Sequence, residues 1–135
     1  MNPTQTKEVV NLLRSEIPEL RAAYLYGSHA SGHLHRESDT DIAIVIDRPL
    51  RFESRWKLQS TLGDLLDSPV DLVDLARTGL PLAAQILETG RVIFAGDPGW
   101  LAKFENVLMS RWCAFNEERR PLVDEIVARG SVYGG

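Results

Sequence analysis

At 135 residues, 44% of them hydrophobic and 25% charged, the chain is long enough for a real core, and its composition excludes wholesale disorder. The net charge of −4 argues against a generic nucleic-acid binder, which carries a basic face in its totals, so direct nucleic-acid binding is not expected. The lone cysteine, Cys113, cannot build an internal disulfide framework. The polar start MNPTQTKEVVNLL is unlike a signal peptide, and no apolar run approaches the roughly 20 residues of a membrane span. These features together lead us to expect a cytoplasmic protein without a membrane partner.

In chain order, Val9, Val10, Leu13 and Ile17 fall at helical spacing within residues 4–17, and Pro18 stops the pattern. The apolar run AAYLYG, residues 22–27, reads as a strand. TDIAIVI, residues 40–46, is a second strand, rich in β-branched residues. After the turn at Arg48-Pro49, the residues Phe52, Trp56, Leu58, Leu62 and Leu65 predict a helix over 51–66 with one apolar face. VDLVDL, residues 70–75, is a third strand. Residues 82–87 form a short helix ended by Gly90, and RVIFAG, residues 91–96, is a fourth strand closed by Gly96-Asp97-Pro98. From Gly99 to Arg129 the pattern is helical, with Leu101, Phe104, Leu108, Trp112 and Phe115 in one stripe. Pro121 is expected to begin a new helix or to kink the old one. Four short strands interleaved with helices give an α/β (α+β) fold, a small mixed sheet flanked by helices with a long C-terminal helical segment. The organisation expected is one domain over 1–135, with a core at about 18–96 and the helical segment at about 98–130.

The chemistry concentrates between residues 24 and 75. Residues two apart on a strand share a face, so Asp39 and Asp41 project together at the mouth of an apolar strand. Two such carboxylates repel each other and resist desolvation unless a cation lies between them. A hard divalent ion such as Mg²⁺, which commonly combines one or two carboxylates with nucleotide phosphate oxygens, answers that need. Asp71, inside the apolar run of the third strand, is the candidate third acid for a second ion. Asp74 competes for the role, with a capping residue as its plainer reading. Strand parity allows only one of the two to face the first pair. Gly27 lets the backbone turn closely at a strand end, and the N–H groups that follow, with the Ser28 hydroxyl, suit an anion. A phosphate cradle, an acid pair and a third acid make up the equipment of two-metal phosphoryl or nucleotidyl transfer.

Gly27-Ser28, ten intervening residues, Asp39-Thr40-Asp41 and then VDLVDL resemble the polymerase-β nucleotidyltransferase superfamily. Within it the chain is similar to the minimal nucleotidyltransferase (MNT) group, the antitoxin half of HEPN–MNT toxin–antitoxin pairs. The resemblance extends over almost the whole chain in length and element order, and its specific part is the Gly-Ser…Asp-x-Asp…Asp pattern. It implies that Gly27 and Ser28 touch the nucleotide phosphates and that Asp39, Asp41 and Asp71 bind two Mg²⁺ ions. It makes Asp71 the general base for the attacking hydroxyl. It further implies transfer of AMP from ATP to a tyrosine hydroxyl of a cognate HEPN ribonuclease toxin. A bare catalytic lobe, with no added domain to grip a primer, agrees with an acceptor that brings its own binding surface. The other readings are transfer to a small aminoglycoside-type hydroxyl, and a non-catalytic antitoxin that acts by binding alone. Family members often carry arginines just after Gly-Ser; this chain has His29 and Ser31, which leaves Arg36 or a histidine as the candidate substitute.

Other residues take plainer readings. His33 and His35 make a poor zinc site on their own and read as a solvated loop. Trp112 and Phe115 read as core, with partner docking as the alternative if the long helix outruns the sheet. Glu117, Glu118, Arg119 and Arg120 read as a solvated face, and Cys113 as a small buried residue.

Overall fold

A computed structural model describes residues 1–27 and 39–130, with side chains up to 117. The elements in chain order are α1 (Pro3–Glu16), β1 (Ala22–Tyr26), β2 (Thr40–Val45), α2 (Phe52–Leu66), β3 (Val70–Asp74), α3 (Leu80–Thr89), β4 (Arg91–Ala95) and α4 (Pro98–Gly130).

The four strands form one sheet in the order β3-β2-β1-β4. β1 runs antiparallel to both β2 and β4, while β2 and β3 are parallel, so the sheet is mixed, as expected. The central strands explain the apolar runs: every residue of β1 is buried, and in β2 only Asp41 is not. Each face of the sheet carries its own core. On one, Ala23, Leu25, Ile42, Ile44 and Leu72 pack against Val9 and Leu13 of α1 and Leu58 and Leu62 of α2. On the other, Ala22, Tyr24, Tyr26, Ala43, Val45 and Leu75 pack against Ala83 and Ile86 of α3 and Leu101 and Leu108 of α4. The period-2 alternation of the strands thus sorts two apolar sets onto two faces.

Local signals set the helix starts. Asn2 and Gln5 make a reciprocal capping box at α1: the Asn2 side chain accepts the Gln5 N–H at 2.7 Å, and Gln5 Oε1 accepts the Asn2 N–H at 3.1 Å. Asp97 caps α4 by accepting the Trp100 N–H at 3.1 Å, with Pro98 following in the first turn.

Several sequence expectations need correction. Phe52 and Trp56 are 79% and 66% exposed and do not share the buried face of α2. At about 100° per residue, Leu58, Leu62 and Leu65 cluster within about 60° of one another, whereas Phe52 and Trp56 lie well over 100° away from that cluster's centre. The third helix begins earlier than expected, at Leu80, with Pro81 in its first turn. Gly90 ends it in an extended conformation (φ −81°) and not in the left-handed one; a Cβ there would lie 2.5 Å from the Ile86 carbonyl oxygen. α4 runs as one helix across Pro121, so no second helix begins there. Its 33 residues span about 50 Å, far beyond the reach of strands of five or six residues. For that reason Trp112 and Phe115 lie outside both core clusters, half-buried and stacked on each other at 5.7 Å. Cys113, on the same stretch, is exposed and not buried. Among the described residues no helix is long and apolar enough to cross a membrane.

Candidate active site

Strand register assembles the candidate residues. Asp41 of β2 pairs with Tyr26 of β1 on one side and with Asp71 of β3 on the other. Tyr26, Asp41 and Asp71 therefore form a row across three strands, on the face that α3 and α4 cover. Asp39 precedes β2 by one residue, with the parity of Asp41. It is exposed, as is Asp71, while Asp41 is half-buried.

The electrostatics follow from that row. Burial raises the Asp41 carboxyl above its ordinary range, and the nearby charges of Asp71 and Asp39 push in the same direction. No cation among the described residues relieves Asp41, so each acid makes ionisation of this group harder. Tyr26 answers to the same field: its phenol is pushed up to about 12, first by burial, then by Asp41 and Asp71, with the positive charge of Arg55 acting the other way.

Gly27 adds a steric condition. Its φ is +78°, and a Cβ at this position would run into Oδ2 of Asp41, with Cγ at 3.4 Å. Glycine is required twice over, by the left-handed backbone and by the close approach of the Asp41 carboxylate. Ser28, expected beside it in the cradle, lies outside the described residues, as do His29, Ser31, His33, His35 and Arg36.

Register and side-chain contacts also separate the two aspartates of β3. Asp74 faces away from the row, and its carboxylate binds Arg77 at 2.9 Å and accepts the Ala76 N–H at 3.2 Å. Arg77 in turn donates to the carbonyls of Ile46 and Asp47. Asp74 thus clips a turn, consistent with the capping alternative, although no helix starts there.

Among the described residues no three histidine, cysteine, aspartate or glutamate side chains are gathered into a ready ion-binding group. The donor chemistry nevertheless fits a hard divalent cation. Hard carboxylate oxygens stand in register, and no cation among the described residues relieves their mutual repulsion, the donor set that a hard ion completed by substrate oxygens takes. Two nearby residues escape a reading of the sequence, Tyr26 and Arg55. The signal that would have found Tyr26 is its two-residue spacing from Tyr24 with its position at the strand end beside Gly27. Arg55 has no such signal, because it comes from a helix distant in sequence.

The polymerase-beta nucleotidyltransferase family model matches residues 7–99, and the chain belongs to that family. It is 34% identical over 128 residues to the protein adenylyltransferase MntA of Shewanella oneidensis, a match covering 95% of this chain and 91% of that protein. Among solved structures it is similar to a chain of a toxin–antitoxin complex with AMP-PNP, at TM-score 0.81 and 33% identity, over 90% of this chain and 98% of that one. A second similar structure holds a tri-AMPylated Shewanella oneidensis HEPN toxin with its MNT antitoxin. There the TM-score is 0.78 and the identity 29%, over 94% of this chain and 99% of that one.

Proposed function

We propose that residues 1–135 work as one minimal nucleotidyltransferase domain that transfers AMP from ATP to a tyrosine hydroxyl of a cognate HEPN toxin and so acts as its antitoxin. The observation that carries the reading is the row in which Asp71 stands in register with Asp41, within a fold shared almost end to end with an adenylyltransferase and with chains of toxin–antitoxin complexes.

In this reading Gly27 keeps the floor of the site free of side chain, and the Ser28 hydroxyl that follows donates to a phosphate oxygen. Asp39, Asp41 and Asp71 would hold two Mg²⁺ ions, which when bound would supply positive charge to the α-phosphate and to the leaving pyrophosphate. Asp71 accepts the proton of the attacking hydroxyl. The hydroxyl oxygen forms its bond to the α-phosphorus, and the bond from that phosphorus to the bridging oxygen breaks in line, releasing pyrophosphate. The buried Tyr26 ring lines the row and keeps water from one flank of Asp41.

The test is to incubate the protein with ATP, Mg²⁺ and its cognate toxin and to read the intact mass of the toxin. Added AMP units on a toxin tyrosine are expected. An unmodified toxin under conditions that adenylylate an aminoglycoside hydroxyl would overturn the choice of acceptor while leaving the class of chemistry intact.

A further inference from the structure

β3 is an edge strand, paired with β2 on one side only. The Leu75 N–H donates to Ile44 of β2 at 2.9 Å, so the odd-numbered residues of β3 turn their backbone groups inward to β2 and the even-numbered ones turn theirs outward. The outward N–H of Leu72 would then meet solvent, as edge groups do. It does not. Gln59, half-buried on α2, receives it on Oε1 at 2.8 Å. The peptide concerned is the one joining Asp71 to Leu72. Its Asp71 carbonyl faces β2, and its Leu72 N–H is held by α2 from the other side.

We infer that Gln59 is a positioning residue for nucleotidyl transfer, pinning the Asp71–Leu72 peptide from the open edge of the sheet so that the Asp71 carboxylate stays in register with Asp41. The inference rests on the reading of Asp71 given above. Three further contacts suit the role. Leu72 is buried beside Leu58 and Leu62 of the same helix, so α2 and β3 share one core. The other end of the β2–β3 pairing is tied by the Thr40 N–H to the Pro69 carbonyl at 2.8 Å, and the Thr40 hydroxyl meets Ser68 Oγ at 3.2 Å. Asp71 itself is exposed, and among the described residues no hydrogen bond or ion pair holds its side chain, so its placement there rests on its backbone. An edge peptide left free on one side allows displacements on the ångström scale, and a misplacement of about 1 Å can cost about a hundredfold in rate.

The experiment compares Gln59→Met, which keeps the length of the side chain and removes the acceptor, with Gln59→Glu, which keeps an acceptor oxygen. Asp71→Asn runs alongside. Initial rates of AMP transfer to the purified cognate toxin are measured over a range of ATP concentrations, and thermal unfolding is recorded for each variant. Gln59→Met is expected to lower kcat about tenfold or more with KM for ATP little changed and the unfolding midpoint near wild type. Gln59→Glu is expected to recover most of that loss. Wild-type kcat in Gln59→Met, or a loss that tracks the unfolding midpoint and is not recovered by Gln59→Glu, overturns the positioning role. If Asp71→Asn keeps wild-type kcat, the reading of Asp71 falls and this inference with it; if Asp71→Asn is inactive while Gln59→Met is not impaired, only the role of Gln59 falls.

Discussion

The two ends of the sheet handle aspartate in opposite ways. At one end, Asp74 is bound to Arg77, and Asp47 is bound to Arg21, which also lies 4.2 Å over the Trp100 ring. Arg77 further ties the carbonyls of Ile46 and Asp47, so both aspartates there have a cationic partner. At the other end, no cation among the described residues pairs with Asp39, Asp41 or Asp71, and Asp41 is driven toward its neutral form by burial and by its two neighbours. Asp71 and Asp74 are three residues apart on one five-residue strand and differ in face and in the end of the strand they occupy. The paired end contributes to stability. The other end holds repulsion that no cation among the described residues relieves, the mark of a site kept for binding or chemistry.

The contrast breaks most visibly in a pair of single substitutions. Asp71→Asn is expected to lower AMP transfer by on the order of a thousandfold at unchanged stability. Asp74→Asn is expected to leave transfer within about twofold and to destabilise the fold by about 1–2 kcal/mol, because Arg77 loses a half-buried partner. Rates by intact mass and stability by urea unfolding check both. Next comes Gly27→Ala, which places a methyl group against the Asp41 carboxylate and forces a left-handed backbone on alanine. A loss of about 1–2 kcal/mol in stability and of about a hundredfold in kcat is expected, read by the same two measurements.

A subtler effect concerns pH. The folded Asp41 carboxyl titrates above its ordinary 3.8, so the contribution of its neutral form to stability is fully present below that value and is lost as pH rises through the folded value. Urea unfolding without divalent ions, followed upward from about pH 3, should therefore show wild type losing ground to Asp41→Asn across that window. Equal profiles for the two proteins would mean that the row carries no repulsion. The smallest effect belongs to the exposed face of α2, where Trp56→Ser is expected to change stability by no more than about 0.5 kcal/mol, since the ring is not part of either core.

Much of this architecture is legible in the chain itself, and the reason differs from element to element. β1 and β2 announce themselves because both are buried along nearly their whole length, which leaves continuous apolar runs. The pairing of Asp39 with Asp41 is a local fact of strand parity. The choice between Asp71 and Asp74 is not local. Parity says that only one can join the row, and the register of β2 with β3 decides which. Gln59 and Arg55 are illegible because one bonds to β3 and the charge of the other acts on Tyr26 from a helix that only the folded chain brings near. Phe52 and Trp56 suggest the wrong face of α2 because they are large and apolar, although their helical angle turns them away from the core. On α4, the apolar stripe continues past the end of the sheet, so Trp112 and Phe115 share the period of Leu101 and Leu108 without sharing their burial.

The central claim is that the unpaired acids exist to carry out nucleotidyl transfer. The most direct measurement is the intact mass of the cognate toxin after incubation with ATP, Mg²⁺ and either wild-type protein or the Asp39→Asn/Asp41→Asn double variant, with toxin binding by each confirmed in parallel. The account predicts AMP on the toxin with wild type and none with the variant, although both bind it. A variant that modifies the toxin at the wild-type rate, or a wild type that neutralises the toxin without modifying it, would contradict the account.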